Sequence, residues 1–135
     1  MDTSRLKALP LFKDLSKEEL KDVARHADEV DVDEGKHLID QGRSAYEFFA
    51  IEEGTAEVTR EGDHVADLGP GDFFGEIGLM EPDRERTASV VATSPMQVIV
   101  MTGPDFRRVS REMPHVAAQI QEAIHHRTRQ AGLDA

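Results

Sequence analysis

Cysteine and tryptophan are absent from this sequence, and a single tyrosine stands beside six phenylalanines. Without cysteine, neither a disulfide framework nor a thiolate metal site can contribute to the fold, which agrees with a reducing compartment. With so few aromatic rings, the core has to be built mainly from Val, Ile, Leu, Met and Phe. Basic residues are scarce beside acidic ones: 16 Lys and Arg against 27 Asp and Glu, a formal net charge of −11. A surface of that sign repels a phosphate backbone instead of neutralising it, so nucleic acid is not an expected partner. The opening MDTSRLKALPLF lacks the uninterrupted apolar stretch of a signal peptide, and no segment reaches the length of a membrane span. The chain is read as soluble and cytoplasmic, without a membrane partner.

What is present fits one domain, taken as residues 5–132, in a chain of 135 residues with 39% hydrophobic content. Leu6-Lys7-Ala8-Leu9-Pro10 reads as a short helix stopped by proline. A second helix opens at Ser16, whose hydroxyl caps the exposed amides while Glu19 completes a capping box. Leu20, Val23, Ala24 and Ala27 supply its buried face at helical spacing. From Val30 to Met101 the texture changes to short alternating apolar runs: Val30–Val32, His37–Asp40, Glu47–Glu52, Ala56–Arg60, His64–Leu68, Ala88–Thr93 and Gln97–Met101. Glycine turns separate them, among them Glu34-Gly35, Gln41-Gly42, Glu53-Gly54 and Glu61-Gly62. Many short strands at this spacing predict a mainly β protein with flanking helices, an antiparallel jelly-roll-like β-barrel. Helical periodicity returns in Pro104–Arg111 and in Pro114–Gln130, the latter with proline at its first position.

Phe74–Met80 (FGEIGLM) breaks the strand rhythm. It is too short for an ordinary helix and too rich in glycine for a strand, so a single helical turn between strands is expected. Such a turn offers backbone amides and a local dipole that favour a phosphate, and its glycines allow close backbone approach. Arg86 can form bidentate, charge-assisted bonds to phosphate oxygens with a geometry lysine cannot match. Glu76 needs a different partner, and a ribose hydroxyl is a suitable donor to it. An acid and an arginine flanking a helical turn describe a sugar-phosphate receptor. The plainer reading, a partly exposed Glu76–Arg86 salt bridge, is worth about 0–1 kcal/mol.

FGEIGLM followed by RERTASV resembles the phosphate-binding cassette of the cyclic-nucleotide-binding domain family, the family of the catabolite activator protein and of protein kinase A regulatory subunits. LKALPLFKDLSKEEL, DEGKHLIDQG and FFAIEEGTAEV are similar to family segments in the same order. The resemblance implies a short phosphate-binding helix in which Phe74, Gly75, Glu76, Ile77 and Gly78 surround the ligand. Gly75 and neighbouring amides would meet the phosphate and Glu76 the ribose 2′-hydroxyl. Arg86 would pair with the cyclic phosphate, and Thr87, ahead of Ala88, would add a hydroxyl to phosphate or purine. Val58 and Leu68 would line an apolar wall, though both also read as core. The implied ligand is cAMP in preference to cGMP, with no further cofactor, in a regulatory or sensor module.

In the family the last helix often closes over the purine. A match without gaps from Arg86 through Pro114 sets Ala131 and Gly132 where activators carry a hydroxyl pair, leaving Thr128, Arg129 or Leu133 as candidate lid residues. The stripe Val116, Ile120, Ala123, Ile124 and Arg127 on that helix packs on its own barrel or, in the alternative, forms a homodimer through a two-fold helix pair. The chain ends too soon after Pro114 for a helix-turn-helix or kinase-inhibitor segment, so the signal is expected to pass to an unidentified effector protein, a second protomer or a further region. Two rival readings stand beside this one: a nucleotide-free interaction module of the same fold, and a cupin-like barrel enzyme. Against the enzyme, the histidines His26, His37, His64, His115, His125 and His126 form no HxH pair on a strand, and no nucleophile–base signature is present. Neither a metal site nor a catalytic residue is expected.

Overall fold

The computed structural model describes residues 2–43, 47–75, 86 and 88–129, the last seven of these by their backbone alone. Helix α1 (Thr3–Lys7) begins earlier than the sequence suggests, because Asp2 caps it, accepting from the Ser4 amide at 2.9 Å and the Ser4 hydroxyl at 2.8 Å. The predicted helix at Leu6–Pro10 is therefore displaced. Beyond Lys7 a series of turns, with Leu9 N–H on Leu6 O, Phe12 N–H on Leu9 O and Leu15 N–H on Phe12 O, carries Leu6, Leu9, Phe12 and Leu15 into the core. Helix α2 (Lys17–His26) carries the expected reciprocal cap. The Glu19 amide donates to Ser16 Oγ at 3.2 Å, and the Ser16 amide to Glu19 Oε1 at 2.9 Å. Ala27 does not extend this helix; it opens strand β1 (Ala27–Val32), where pairing with Met101 overrides its helical spacing.

The remaining strands are β2 (His37–Ile39), β3 (Glu47–Glu53), β4 (Ala56–Arg60), β5 (Asp63–Leu68), β6 (Phe73–Phe74), β7 (Ser89–Ala92) and β8 (Met96–Thr102). They form two four-stranded antiparallel sheets, in the orders β1-β8-β3-β6 and β2-β7-β4-β5. Phe74 thus belongs to a short strand that the sequence reading merged into a helical turn. Pairing of Phe74 with Phe49 and of Phe73 with Ala50 makes it one. The expected turn over residues 76–80 lies outside the described residues.

The central strands of the first sheet, β3 and β8, are buried on both faces, which explains why they read as nearly continuous apolar runs. Successive side chains point to opposite sides. Phe49 and Val98 face the second sheet, joining Val58, Leu68, Phe74 and Val90 in the inter-sheet core. Phe48, Ile99 and Met101 face the helices and pack with Leu6, Phe12 and Val23. The two adjacent phenylalanines show the alternation directly: Phe48 stacks on Phe106 at 4.5 Å and Phe49 on Phe74 at 4.9 Å. Each such ring removed from water contributes about 1.5–3 kcal/mol. Helix α3 (Gly103–Glu112) supplies Phe106 and Val109 to the helix-side core, and helix α4 (Pro114–Arg129) supplies Val116 and Ile120. The side chains of Ala123, Ile124 and Arg127 lie outside the described set.

Polar groups complete the helix-side face where the apolar residues end. Arg5 of α1 reaches across it, its Nη1 donating to Glu29 Oε2 at 3.0 Å, Glu52 Oε2 at 3.3 Å and Gln97 Oε1 at 2.6 Å. Arg108 of α3 similarly holds Asp22 of α2, at 2.9 Å, and keeps that carboxyl below its ordinary range.

Candidate functional site

Arg86 is the most deeply buried charged residue among the described residues, with 5% of its surface exposed. Its backbone is held by the turn after β2. The Arg86 amide donates to Arg43 O at 2.7 Å, and the Gly42 amide donates to Arg86 O at 2.8 Å. These bonds carry the β2–β7 pairing onward past its regular end, with the Gln41 amide on Ser89 Oγ adding a third link at 2.9 Å. The side chain then crosses to the first sheet. Nη1 donates to Gly75 O at 2.8 Å and Nη2 to Glu47 O at 2.6 Å. The guanidinium is therefore oriented by the first residue of β3 and by the residue just after β6, two places far apart in sequence.

Gly75 is required by this arrangement for two reasons. Its φ of 91° lies in the left-handed region that glycine alone adopts readily. A β-carbon there would also sit 2.8 Å from Glu47 O and 3.3 Å from Arg86 Nη1, in the space the guanidinium needs. The glycine thus serves close approach, as its place in the motif suggests.

Beside Arg86 opens a recess of about 290 Å³ lined by Leu38, Ile39, Asp40, Arg43, Glu47, Phe49 and Arg86. That volume is at the small end of the range for small-molecule sites. Leu38, Ile39 and Phe49 form its apolar part, and Arg43 is a second arginine in its lining. In a chain of net charge −11, the recess is locally balanced, with Arg43 and Arg86 against Asp40 and Glu47 in its lining.

The structure brings Gly75 and Arg86 together and leaves Phe74 and Ala88 fully buried beside them in sequence. Val58 and Leu68 are also buried, 1% and 7% exposed, in the inter-sheet core; they are not among the described residues that line the recess. Glu76, Ile77, Gly78, Thr87 and Leu133 lie outside the described residues, as do the side chains of Thr128 and Arg129. Sequence reading missed the recess wall from Leu38 to Arg43 together with Glu47 and Phe49. One signal was legible: Arg43 is a cation set directly behind the Gln41-Gly42 turn of an acidic chain.

The model of the cyclic nucleotide-binding domain matches residues 29–112. Over 106 residues the chain is 34% identical to a cAMP-dependent protein kinase regulatory subunit of Yarrowia lipolytica, a match covering 77% of this chain and 28% of that protein. Among solved structures, the catabolite activator protein of Thermus thermophilus superposes with a TM-score of 0.77 at 28% identity, over 90% of this chain and 59% of that one. The regulatory domain of Toxoplasma gondii PKA, crystallised with cAMP, shares the fold with a TM-score of 0.78 at 23% identity, over 91% of this chain and 48% of that one. The chain thus spans under a third of the curated relative and between about half and three-fifths of these two structures.

Proposed function

Since the chain belongs to the cyclic nucleotide-binding domain family, we propose that it binds a cyclic nucleoside monophosphate, cAMP in preference to cGMP, and acts as a regulatory or sensor module. The observation that carries this reading is Arg86, a buried guanidinium held at the wall of a recess by the carbonyls of Gly75 and Glu47. The two carbonyl bonds orient the guanidinium, and a pre-oriented fork costs little reorganisation when a phosphate arrives. In this reading the cyclic phosphate meets Arg86 and the amides from Gly75 through Gly78, past Ile77. Glu76 accepts from the ribose 2′-hydroxyl, and Thr87 adds a hydroxyl to phosphate or base. The end of α4, with Thr128, Arg129 or Leu133, closes over the purine. Ligand favours that closed state only by its difference in affinity between the two states.

A second reading has its own support. The carbonyl bonds already satisfy the Arg86 fork without any ligand, as an interaction module of the same fold would need. Calorimetry with cAMP and with cGMP separates the two. Binding in the micromolar range, roughly −8 kcal/mol, with cAMP the tighter, is the expected result. No heat from either nucleotide with folded protein would leave the interaction module standing.

A further inference from the structure

We propose that the outward face of the β4–β5 hairpin is a binding site for a divalent transition-metal cation, with Glu57, His64 and Asp67 as its protein ligands. The sequence offered no metal signal because its histidines form no HxH pair on a strand. In a regular strand His64 and Asp67, three residues apart, would point to opposite faces. The register removes that obstacle. Glu57 lies opposite Asp67 and Val58 opposite Ala66, but Thr59 lies opposite His64, so β5 carries one extra residue, a bulge at Val65. Bulges re-aim side chains, and this one turns His64 onto the face of Glu57 and Asp67.

The result is a mixed nitrogen and oxygen donor set. His64 Nδ1 is 2.8 Å from Glu57 Oε2, and Nε2, on the other edge of the ring, is 3.7 Å from Asp67 Oδ2, so the imidazole has a carboxylate at each edge and gives an ion one of its two nitrogens. Donor atoms of all three side chains lie within 4.8 Å of one another, the one such grouping among the described residues. Glu57 and Asp67 also face each other directly across the antiparallel pair, where like charges are unfavourable unless a cation lies between them. Two carboxylates and a neutral imidazole balance a 2+ ion. An imidazole nitrogen favours Zn²⁺ or Cu²⁺ over Mg²⁺ or Ca²⁺, which prefer oxygen alone. All three side chains are at least one-third exposed, leaving room for water to complete the coordination.

The site lies behind the inter-sheet core. Val58 and Leu68 follow Glu57 and Asp67 in sequence and point inward, so an ion on the outer face would tie together two strands that build the core of the second sheet. This is independent of nucleotide binding. Titration calorimetry of Zn²⁺ into the full chain, with Mg²⁺ in excess to occupy the acidic surface, should show one saturable site. His64→Ala and Asp67→Asn should each weaken it about tenfold or more, while urea midpoints of the metal-free variants stay near that of the parent. Cu²⁺ bound in place of Zn²⁺ should show nitrogen coupling that disappears in His64→Ala. Absence of saturable uptake, its loss to Mg²⁺, or equal uptake by parent and both variants would overturn the assignment and leave an imidazole–carboxylate cluster on the surface.

Discussion

Replacing Glu52 by glutamine is expected to flatten the pH dependence of stability near neutrality. The Glu52 side chain is 9% exposed, and its Oε1 is buried without a hydrogen-bond partner among the described residues. Burial is the main cause, and a hydrogen bond with Glu29 the next, of a carboxyl pushed from the ordinary 4.5 to about 7; the Arg5 guanidinium opposes the shift and the neighbouring Glu53 adds to it. An acid raised in this way holds its proton in the folded state while the unfolded chain has lost it. Its contribution to stability is therefore complete below about pH 4.5 and is lost as pH rises through about 7. The full shift corresponds to about 3 kcal/mol at most. Glu29, held below its ordinary range by the same hydrogen bond and by Arg5, offsets part of this, leaving roughly 1–3 kcal/mol. Glutamine reproduces the protonated acid and can still donate to Glu29. Urea melts at about pH 5.5 and about pH 8 should show the parent losing roughly 1–2 kcal/mol more than Glu52→Gln over that interval, or roughly 3–8 °C in Tm for a chain of this size. Parallel stability curves for the two proteins would refute a shared proton at Glu52.

Arg86→Lys should reduce nucleotide affinity about a hundredfold, because an ammonium cannot bridge the Gly75 and Glu47 carbonyls while offering a fork to phosphate; calorimetry at matched folded fraction measures it. Gly75→Ala should destabilise the fold by about 1–3 kcal/mol, combining a left-handed φ with a β-carbon too close to Glu47 O, as a lower urea midpoint would show. Amide exchange along α4 should slow when nucleotide is added, and unchanged protection there would argue against closure of the last helix.

Much of the barrel was legible because its signals are local. Glycine turns mark most of its strands, and the Ser16–Glu19 cap fixes where α2 starts through bonds only three residues long. Gly75 was legible for a chemical reason: the close backbone approach beside Arg86 calls for one residue type. Less visible was anything created by distant pairing. Ala27 fits a helical stripe yet becomes strand opposite Met101, and Phe74 becomes strand by pairing with Phe49. Nothing in the local sequence of Glu52 marks it as a buried acid; Arg5 and Glu29 reach it from other elements.

Composition, turn chemistry and motif by themselves determined that this is an antiparallel β domain carrying a glycine–arginine signature. Tertiary structure alone decided what surrounds that signature. It set Arg86 against the carbonyls of Glu47 in β3 and of Gly75 just after β6, lined the recess with Leu38, Ile39, Arg43 and Phe49, and turned His64 toward two carboxylates through a bulge. The division has one physical cause. Turns, caps and single-residue chemistry depend on neighbours along the chain, whereas a wall, a buried charge and a ligand cluster depend on the register between strands, which exists only once the sheets have formed.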